Sequence, residues 1–180
     1  MILKKISLLL VASIILLACR RNNDQQQPLS DADAATLTVL ENLFTLADAE
    51  KIMGESARLT QRIMKREGEV LTFQCAYKGK GDIQKNVIVG AIGFLVEQYN
   101  DTVSAHNKYS FIKTANQDHD GVKVLEGFGD EAYFHSDGRN FYFIMARKNN
   151  RVFVMKVNKI TKTTSLDAFN ETAKRITLNL

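Results

Sequence analysis

The chain has 180 residues, of which 45% are hydrophobic and 24% are charged, with one proline and no tryptophan. This composition is typical of one globular domain, and it excludes a disordered chain, collagen, a coiled coil and a disulfide-rich scaffold. The formal charge is +4, and the loss of an amino-terminal segment that carries Lys4 and Lys5 lowers it to +2. Because nucleic-acid binding needs a concentrated basic surface, we expect no nucleic-acid partner.

The amino terminus predicts a signal peptide that ends at a cysteine. Lys4 and Lys5 precede an apolar run, Ile6–Ala18, that is too short to span a bilayer, which takes ~20 residues. The segment Leu16-Leu17-Ala18-Cys19 resembles the lipobox of bacterial lipoproteins, in which the cysteine thiol is acylated and the peptide is cut before the cysteine. The resemblance implies a lipid anchor, diacylglycerol with chains such as palmitate, at Cys19 in the cell envelope. A plain cleaved signal and an uncleaved anchor are the alternatives.

The segment that follows this cysteine predicts a flexible tether. Residues 20–33 are almost free of apolar side chains and contain the single proline, Pro28, so they bury too little surface to order themselves. We therefore expect a signal peptide over residues 1–18, a lipidated cysteine and tether over 19–34, and one globular domain over 35–180. Which membrane carries the anchor, and whether the domain is periplasmic or on the outer surface, stays open.

Hydrophobic periodicity and capping residues predict three helices in the domain. The first covers about 46–53, between a Thr45 cap and Gly54; the second runs from Asp101 or Thr102 to about 115; the third starts at Thr164 or Ser165. The apolar side of the second helix is expected to contain Ala105, Tyr109 and Ile112. That of the third helix is expected to contain Leu166, Phe169, Ala173 and Ile176.

Alternating and continuous apolar runs predict the strands. They cover about 58–66, 70–78, 87–96, 122–125, 132–135, 141–146 and 152–157, and Gly79–Asp82, Asp137-Gly138 and Asn149-Asn150 are expected turns. Because the runs 87–96 and 141–145 are apolar on both strand faces, the sheet needs cover on both sides. The sequence therefore predicts an α+β fold, a mainly antiparallel sheet covered by about three helices as an α/β/α sandwich.

Two motifs that could bind a cofactor or metal are interpreted as turns. Gly127–Ala132 matches G-x-G-x-x-A, but it is acidic and leads into a strand, which favours a tight corner over a dinucleotide site. Asn116–Gly121 begins like a calcium loop but lacks the carboxylate at its twelfth position. The histidines His106, His119 and His135 have no zinc-binding spacing, so we expect no metal and no cofactor.

Cys75 and a group of basic residues are also interpreted as structural features and not as functional ones. Cys75 shares a strand face with Phe73 and Tyr77, which favours an inert buried thiol over a reactive one. A solvated hairpin rim is favoured over a lipid-facing basic edge for the basic residues near the end of the chain. These are Arg147, Lys148, Arg151, Lys156, Lys159 and Lys162.

Several short segments share their order with a known family. They are Leu46–Gly54, Cys75–Tyr77, Val96–Tyr99, Gly127–Ala132 and a closing amphipathic helix. Together they resemble bacterial lipoproteins with a PsbP-like α/β/α domain, over most of residues 40–178. The resemblance implies a lipid anchor and a three-layer fold, and it implies no catalytic residues.

Two classes of function are compatible with these observations. The groups that could perform acid–base or nucleophilic chemistry lie in separate predicted elements: Cys75, His106, His119, Asp130, Glu131 and His135. We therefore expect no catalytic residues and a lipid-anchored envelope domain that binds a protein partner or a small ligand. The alternative is a small envelope enzyme or thiol-dependent protein that uses Cys75.

Exposed loops are the expected binding surface, because the strand faces are used by the core. The residues chosen from these loops are Asp118, His119, Asp120 and Arg151. A carrier of apolar ligands is a further alternative, for which a cavity between helix and sheet would be the sign.

Overall fold

Seven antiparallel strands form one sheet in residues 28–80 and 89–180, the part of the protein that the computed structural model describes. The elements found there are, in chain order, α1 (Asp31–Glu41), α2 (Leu46–Met53), β1 (Ala57–Glu67), β2 (Val70–Gly79), β3 (Ala91–Gln98), α3 (Thr102–Asn116), β4 (Val122–Val124), β5 (Glu131–Ser136), β6 (Tyr142–Lys148), β7 (Arg151–Lys159) and α4 (Leu166–Asn179). The strands lie in the order β1-β2-β3-β7-β6-β5-β4. The predicted α+β class and antiparallel sheet are confirmed.

Local sequence signals place α2 within the predicted limits. The hydroxyl of Thr45 accepts a hydrogen bond from the backbone N–H of Asp48, and the Asp48 carboxylate accepts one from the backbone N–H of Thr45 at 2.9 Å. Gly54 ends the helix with a φ of 66°. A Cβ atom there would lie 2.3 Å from the carbonyl oxygen of Thr163, so both conformation and space require glycine.

One face of the sheet, the covered face, carries α1, α2 and α4. The predicted alternation in β2 is confirmed, because Leu71, Phe73, Cys75 and Tyr77 are all buried on this face. The centre of the core is the ring of Phe94, whose centroid lies 5.2 Å from that of Phe44 and 6.0 Å from that of Phe153. The predicted apolar side of α4 is buried except for Leu166, which is 38% exposed at the first turn.

The opposite face, the open face, carries only α3 among the described helices. The carboxylate of Asp101 caps this helix by accepting the backbone N–H of Ser104 at 2.7 Å. Ala105 and Tyr109 are buried against β5, β6 and the start of β7, as predicted. In the described part of the chain, the half of this face that β1, β2 and β3 form has no helix packed on it.

This uneven cover corrects one prediction. In β3, Ile92 and Val96 are buried on the covered face, whereas Gly93 and Leu95 are only partly buried on the open face. The expectation that this strand is buried on both faces is therefore wrong for its described part. It is confirmed for β6, where the adjacent residues 144 and 145 are both inaccessible. Residues 81–88, with part of a predicted turn and the start of the predicted strand, lie outside the described residues.

The folded part begins earlier than predicted. Helix α1 starts at Asp31, inside the segment assigned to the tether, and Ser30 and Asp33 form a capping box at its start. The Asp33 carboxylate is paired with the guanidinium of Arg66 on β1. Hydrogen bonds from Arg66 and Ser30 hold the pKa of Asp33 far below its ordinary value. The polar first turn becomes ordered because Leu37, further along the helix, is buried in the core.

The two predicted hairpin turns differ in the structure. Asn149 and Asn150 form the predicted two-residue turn between Lys148 and Arg151, with a φ of 54° at Asn149. The prediction of a two-residue turn at Asp137-Gly138 is wrong, because the connection from β5 to β6 spans 137–141. The carboxylate of Asp137 organises this longer loop by accepting backbone N–H groups, including that of residue 140 at 2.7 Å.

Candidate functional site

The open face contains a cleft of about 660 Å³ between α3 and the strands that this helix leaves uncovered. Its floor is formed by β1, β2, β3, β6 and β7, and Lys108 and Ile112 of α3 form one wall. The volume lies within the ~300–1,000 Å³ that is typical of small-molecule sites. We call this feature the open-face cleft.

The strand register explains why the floor is deep at its centre. Ala76, Gly93 and Lys156 are direct neighbours across β2, β3 and β7, so two of the smallest residues lie side by side. A Cβ atom at Gly93 would meet only the carbonyl oxygen of Cys75, at 3.9 Å, apart from its chain neighbours. The space above Gly93 is therefore open. In the next row of the register, Leu95 and Val154 add apolar side chains to the floor and Gln74 adds a polar amide.

The rim of the open-face cleft is polar, and most of its charges are paired. Lys65 Nζ is 2.6 Å from the carboxylate of Glu67, and Lys108 Nζ is 3.8 Å from that of Glu97. Glu97 also accepts a hydrogen bond from the Tyr99 hydroxyl at 2.6 Å. Burial and this carboxylate raise the pKa of Tyr99 above its ordinary value, so the phenol is a neutral donor.

Lys156, on a floor strand of the cleft, is not paired with a carboxylate of the described residues as Lys65 and Lys108 are. The side chain is half-buried, and its Nζ lies 5.6 Å from the centroid of the Phe141 ring. Within residues 28–80 and 89–180 it has no ion pair and no hydrogen bond to its ammonium group. Burial lowers the pKa of Lys156, because removal of water disfavours the charged form.

The loop residues predicted to bind do not form one site. The ring of His119 lies 5.7 Å from that of His135, and Asp118 and Asp120 flank it on the surface. Arg151 is at the other end of the strands, where its guanidinium donates to Gln98 at 2.8 Å and to the carbonyl oxygen of Leu180 at 2.8 Å. These contacts tie β7 to the end of α4. Binding by these loops stays a prediction.

Three polar side chains between α3 and β5 lie in the order of a hydrolase triad. Ser110 Oγ is 3.3 Å from His106 Nε2, and His106 Nδ1 is 2.9 Å from a carboxylate oxygen of Glu131. The structure thus brings together His106 and Glu131, which the sequence placed in separate elements. Nucleophilic catalysis uses the same order of nucleophile, base and acid. The surroundings of these three side chains therefore decide whether the arrangement is catalytic or structural.

Those surroundings favour attachment of α3 to the sheet. Glu131 also accepts a hydrogen bond from Arg147 at 2.6 Å, and Arg147 donates to Asp130 at 2.8 Å. Ser110 lies inside α3, whose backbone N–H groups are used by the helix and cannot stabilise an oxyanion. Partial burial raises the pKa of Glu131, but the hydrogen bonds from Arg147 and His106 outweigh it, and the pKa lies below its ordinary value.

The remaining motifs are structural. Cys75 is buried in the core, and desolvation raises the pKa of its thiol to about 12, which leaves it protonated and unreactive. Gly127 and Gly129 have φ angles of 74° and 75°, and a Cβ atom at Gly129 would lie 2.5 Å from the carbonyl oxygen of Arg147. This is the corner predicted between two strands. Among the described residues no group of His, Cys, Asp and Glu side chains is placed to hold a metal ion.

Sequence reasoning missed the open-face cleft. It placed Lys156 in a solvated rim, and it treated Gly93 as part of a strand buried on both faces. A usable signal was present in β2, where Thr72, Gln74 and Ala76 alternate with large apolar residues. That pattern indicates a second strand face that is not packed like a core.

Comparisons with known proteins show the fold alone. No protein-family model matches the chain, and no curated protein matches it. Among solved structures, the extracellular domain of PknH from Mycobacterium tuberculosis is similar with a TM-score of 0.53 and 11% sequence identity, over 84% of this chain and 96% of that chain. Within residues 28–80 and 89–180, no helix has the length and hydropathy needed to cross a membrane.

Proposed function

We propose that this protein is a lipid-anchored protein of the bacterial cell envelope whose domain binds a small ligand, without catalysis, in the open-face cleft. The observation that carries the proposal is the cleft itself, about 660 Å³ with a mostly apolar floor and a polar rim. A cavity between helix and sheet favours a small ligand over a protein partner, because a protein surface needs a broad exposed patch rather than a recess.

The placement in the envelope is supported by two observations. The segment Leu16–Cys19 resembles a lipobox, and the fold is similar to that of a domain described as extracellular. Mass spectrometry of the mature amino terminus tests the anchor: we expect an acylated Cys19 as the first residue, and an unmodified Cys19 would contradict it.

A neutral fluorescent probe tests the cleft. We would make residues 19–180 with Cys19→Ser, which retains every described element and needs no detergent. N-phenyl-1-naphthylamine, an uncharged apolar dye, should bind saturably with one site per chain. Gly93→Leu places a branched side chain into the open space over the floor, so we expect at least about a ten-fold loss of affinity, which corresponds to ~1.4 kcal/mol.

A matched control separates filling of the cleft from a general effect of added apolar surface. Ala35→Leu adds apolar surface at an exposed position of α1, on the covered side of the sheet. It should bind the dye like the parent chain, and both variants should melt cooperatively. Equal dye binding by the Gly93→Leu variant and the parent, with both folded, would reject the open-face cleft as the ligand site.

A further inference from the structure

Among residues 28–80 and 89–180, the charges that line the open-face cleft leave one positive charge without a partner. Three lysines and two glutamates line it: Lys65, Lys108, Lys156, Glu67 and Glu97. Each glutamate lies within ion-pair distance of one rim lysine. Among the described residues, the ammonium group of Lys156 has neither a carboxylate nor a hydrogen-bond acceptor. The charged side chains that line the cleft therefore sum to +1, and the unpaired charge belongs to Lys156 of the floor strand β7.

The position of this charge strengthens its attraction for an anion. Lys156 lies opposite Gly93 on one side and Phe143 on the other, and the Phe141 ring is next to its ammonium group. Gly93, Phe143 and Phe141 offer this ammonium group no side-chain hydrogen-bond acceptor, and His135 is near enough for the charge of Lys156 to add to burial in lowering the pKa of its imidazole. In such surroundings a charge pair is stronger than at the surface, and an unpaired buried charge is costly.

The rest of the floor is suited to a hydrocarbon chain. Leu95 and Val154 lie in the row next to Lys156, and Ile112 of α3 faces the cleft from the wall. Burial of apolar ligand surface against these side chains supplies non-directional binding energy. A ligand that fits both features has one anionic group and one apolar chain.

We propose that the open-face cleft binds a free single-chain amphiphile with one anionic head group, a medium-chain carboxylate in its simplest form, whose head group pairs with Lys156. The proposal rests on the ligand site proposed above and specifies its chemistry. A bilayer is not the partner, because its head groups lie in an extended plane, whereas Lys156 is at the floor of a recess with α3 as a wall.

Displacement of N-phenyl-1-naphthylamine by decanoate, below its micelle concentration, tests the head group. Decanol has the same chain without the charge and is the ligand control. In Lys156→Met, which keeps the unbranched side chain as far as Cε and removes the charge, we expect about a ten-fold or larger loss of decanoate affinity. Decanol should bind the parent and the variant equally.

Lys159→Met is the matched protein control, because Lys159 lies on the same strand but is exposed and outside the cleft. It should bind decanoate like the parent, and Lys156→Gln should reproduce the loss if methionine perturbs the fold. Unchanged decanoate affinity in both Lys156 variants would overturn the anionic ligand while dye binding still supports the cleft.

Two further outcomes also decide between the proposals. Dye that binds and is displaced by neither decanoate nor decanol would overturn the amphiphile and leave the cleft as a ligand site. Flotation of the chain with phosphatidylglycerol vesicles, lost in Lys156→Met and without decanoate binding, would instead assign Lys156 to a membrane surface and overturn the free ligand. Failure of the site itself is distinguishable, since dye binding would then be insensitive to Gly93→Leu.

Discussion

The two faces of the sheet are built from the same strands but differ in what lies on them. The covered face packs three helices over a continuous core, and the side chain of Phe94 is 1% exposed there. The open face carries α3 over one half and a cleft over the other, and Leu95, the next residue, points into that cleft. The difference indicates that stability comes mainly from one face, while part of the other face is covered by no described helix.

A pair of truncations in β3 tests this division most directly. Phe94→Ala removes a ring that contacts Phe44, Phe73 and Phe153, so we expect a loss of ~3–5 kcal/mol in the free energy of unfolding. Leu95→Ala removes a half-buried side chain from the open face and should cost about 1 kcal/mol or less, while it weakens dye binding. Urea unfolding measures both. Equal destabilisation by the two changes would show that the open face is as tightly packed as the covered face.

The attachment of α3 gives the next largest expected effect. Glu131→Gln removes the charge that Arg147 and His106 contact, so Arg147 loses an ion pair in a setting where its side chain is only 13% exposed. We expect a loss of ~1–3 kcal/mol, measured by urea unfolding. Ser110→Ala keeps that network and should stay within ~0.5 kcal/mol of the parent.

The same pair distinguishes a structural from a catalytic arrangement. Turnover of an ester or amide by the parent that Ser110→Ala abolishes, without loss of stability, would contradict the structural interpretation of the Ser110, His106 and Glu131 contacts. Equal stability of the Glu131→Gln variant and the parent would show that these contacts do not hold α3 on the sheet.

The smallest expected effect is a pH dependence at His135 on β5, whose ring lies beside that of His119 in the loop after α3. Burial, and then electrostatic interaction with His119 and with the Lys156 ammonium group, lower the pKa of His135 below its ordinary value of ~6.5. Between the two pKa values the unfolded chain binds more protons than the folded protein, so the free energy of unfolding rises with pH in that range. The contribution is complete above about pH 6.5 and is lost as the pH falls through the folded pKa.

Thermal or urea unfolding between about pH 7 and pH 5 measures this contribution. The parent should lose stability toward pH 5, and His135→Gln, which cannot titrate, should lose less. The two proteins are compared by the slope of the free energy of unfolding against pH, because the substitution also changes the absolute stability. Identical slopes would mean that His135 has the same pKa in the folded and unfolded states.

Much of the fold was predictable because its signals are local. Thr45, Asp48 and Gly54 specify α2 by capping and by a left-handed end, and the alternation from Leu71 to Tyr77 specifies which side of β2 faces the core. Helix α1 escaped prediction because its first turn is polar and is stabilised by Arg66, a residue more than thirty positions away on β1.

The candidate site was predictable only in its individual residues. His106 and Glu131 were both noted as reactive groups, but their contact depends on how α3 crosses β5. The small size of Gly93 and Ala76 is visible in the sequence, whereas their adjacency across β2 and β3 depends on register. A register is set by pairing over the whole hairpin, so no short motif contains it.

The sequence by itself determined the amino-terminal lipobox resemblance, the caps of α2, α3 and α4, and the apolar alternation around Cys75, because each depends on neighbours within a few residues. Only the tertiary structure decided that α3 covers half of the open face, that Lys156 lies in a cleft instead of on a rim, and that Glu131 is shared by Arg147 and His106. An apolar run indicates that a strand face can be removed from water. It does not record whether a helix packs on that face: α3 covers the open side of β6, whereas the open side of β3 is only partly buried.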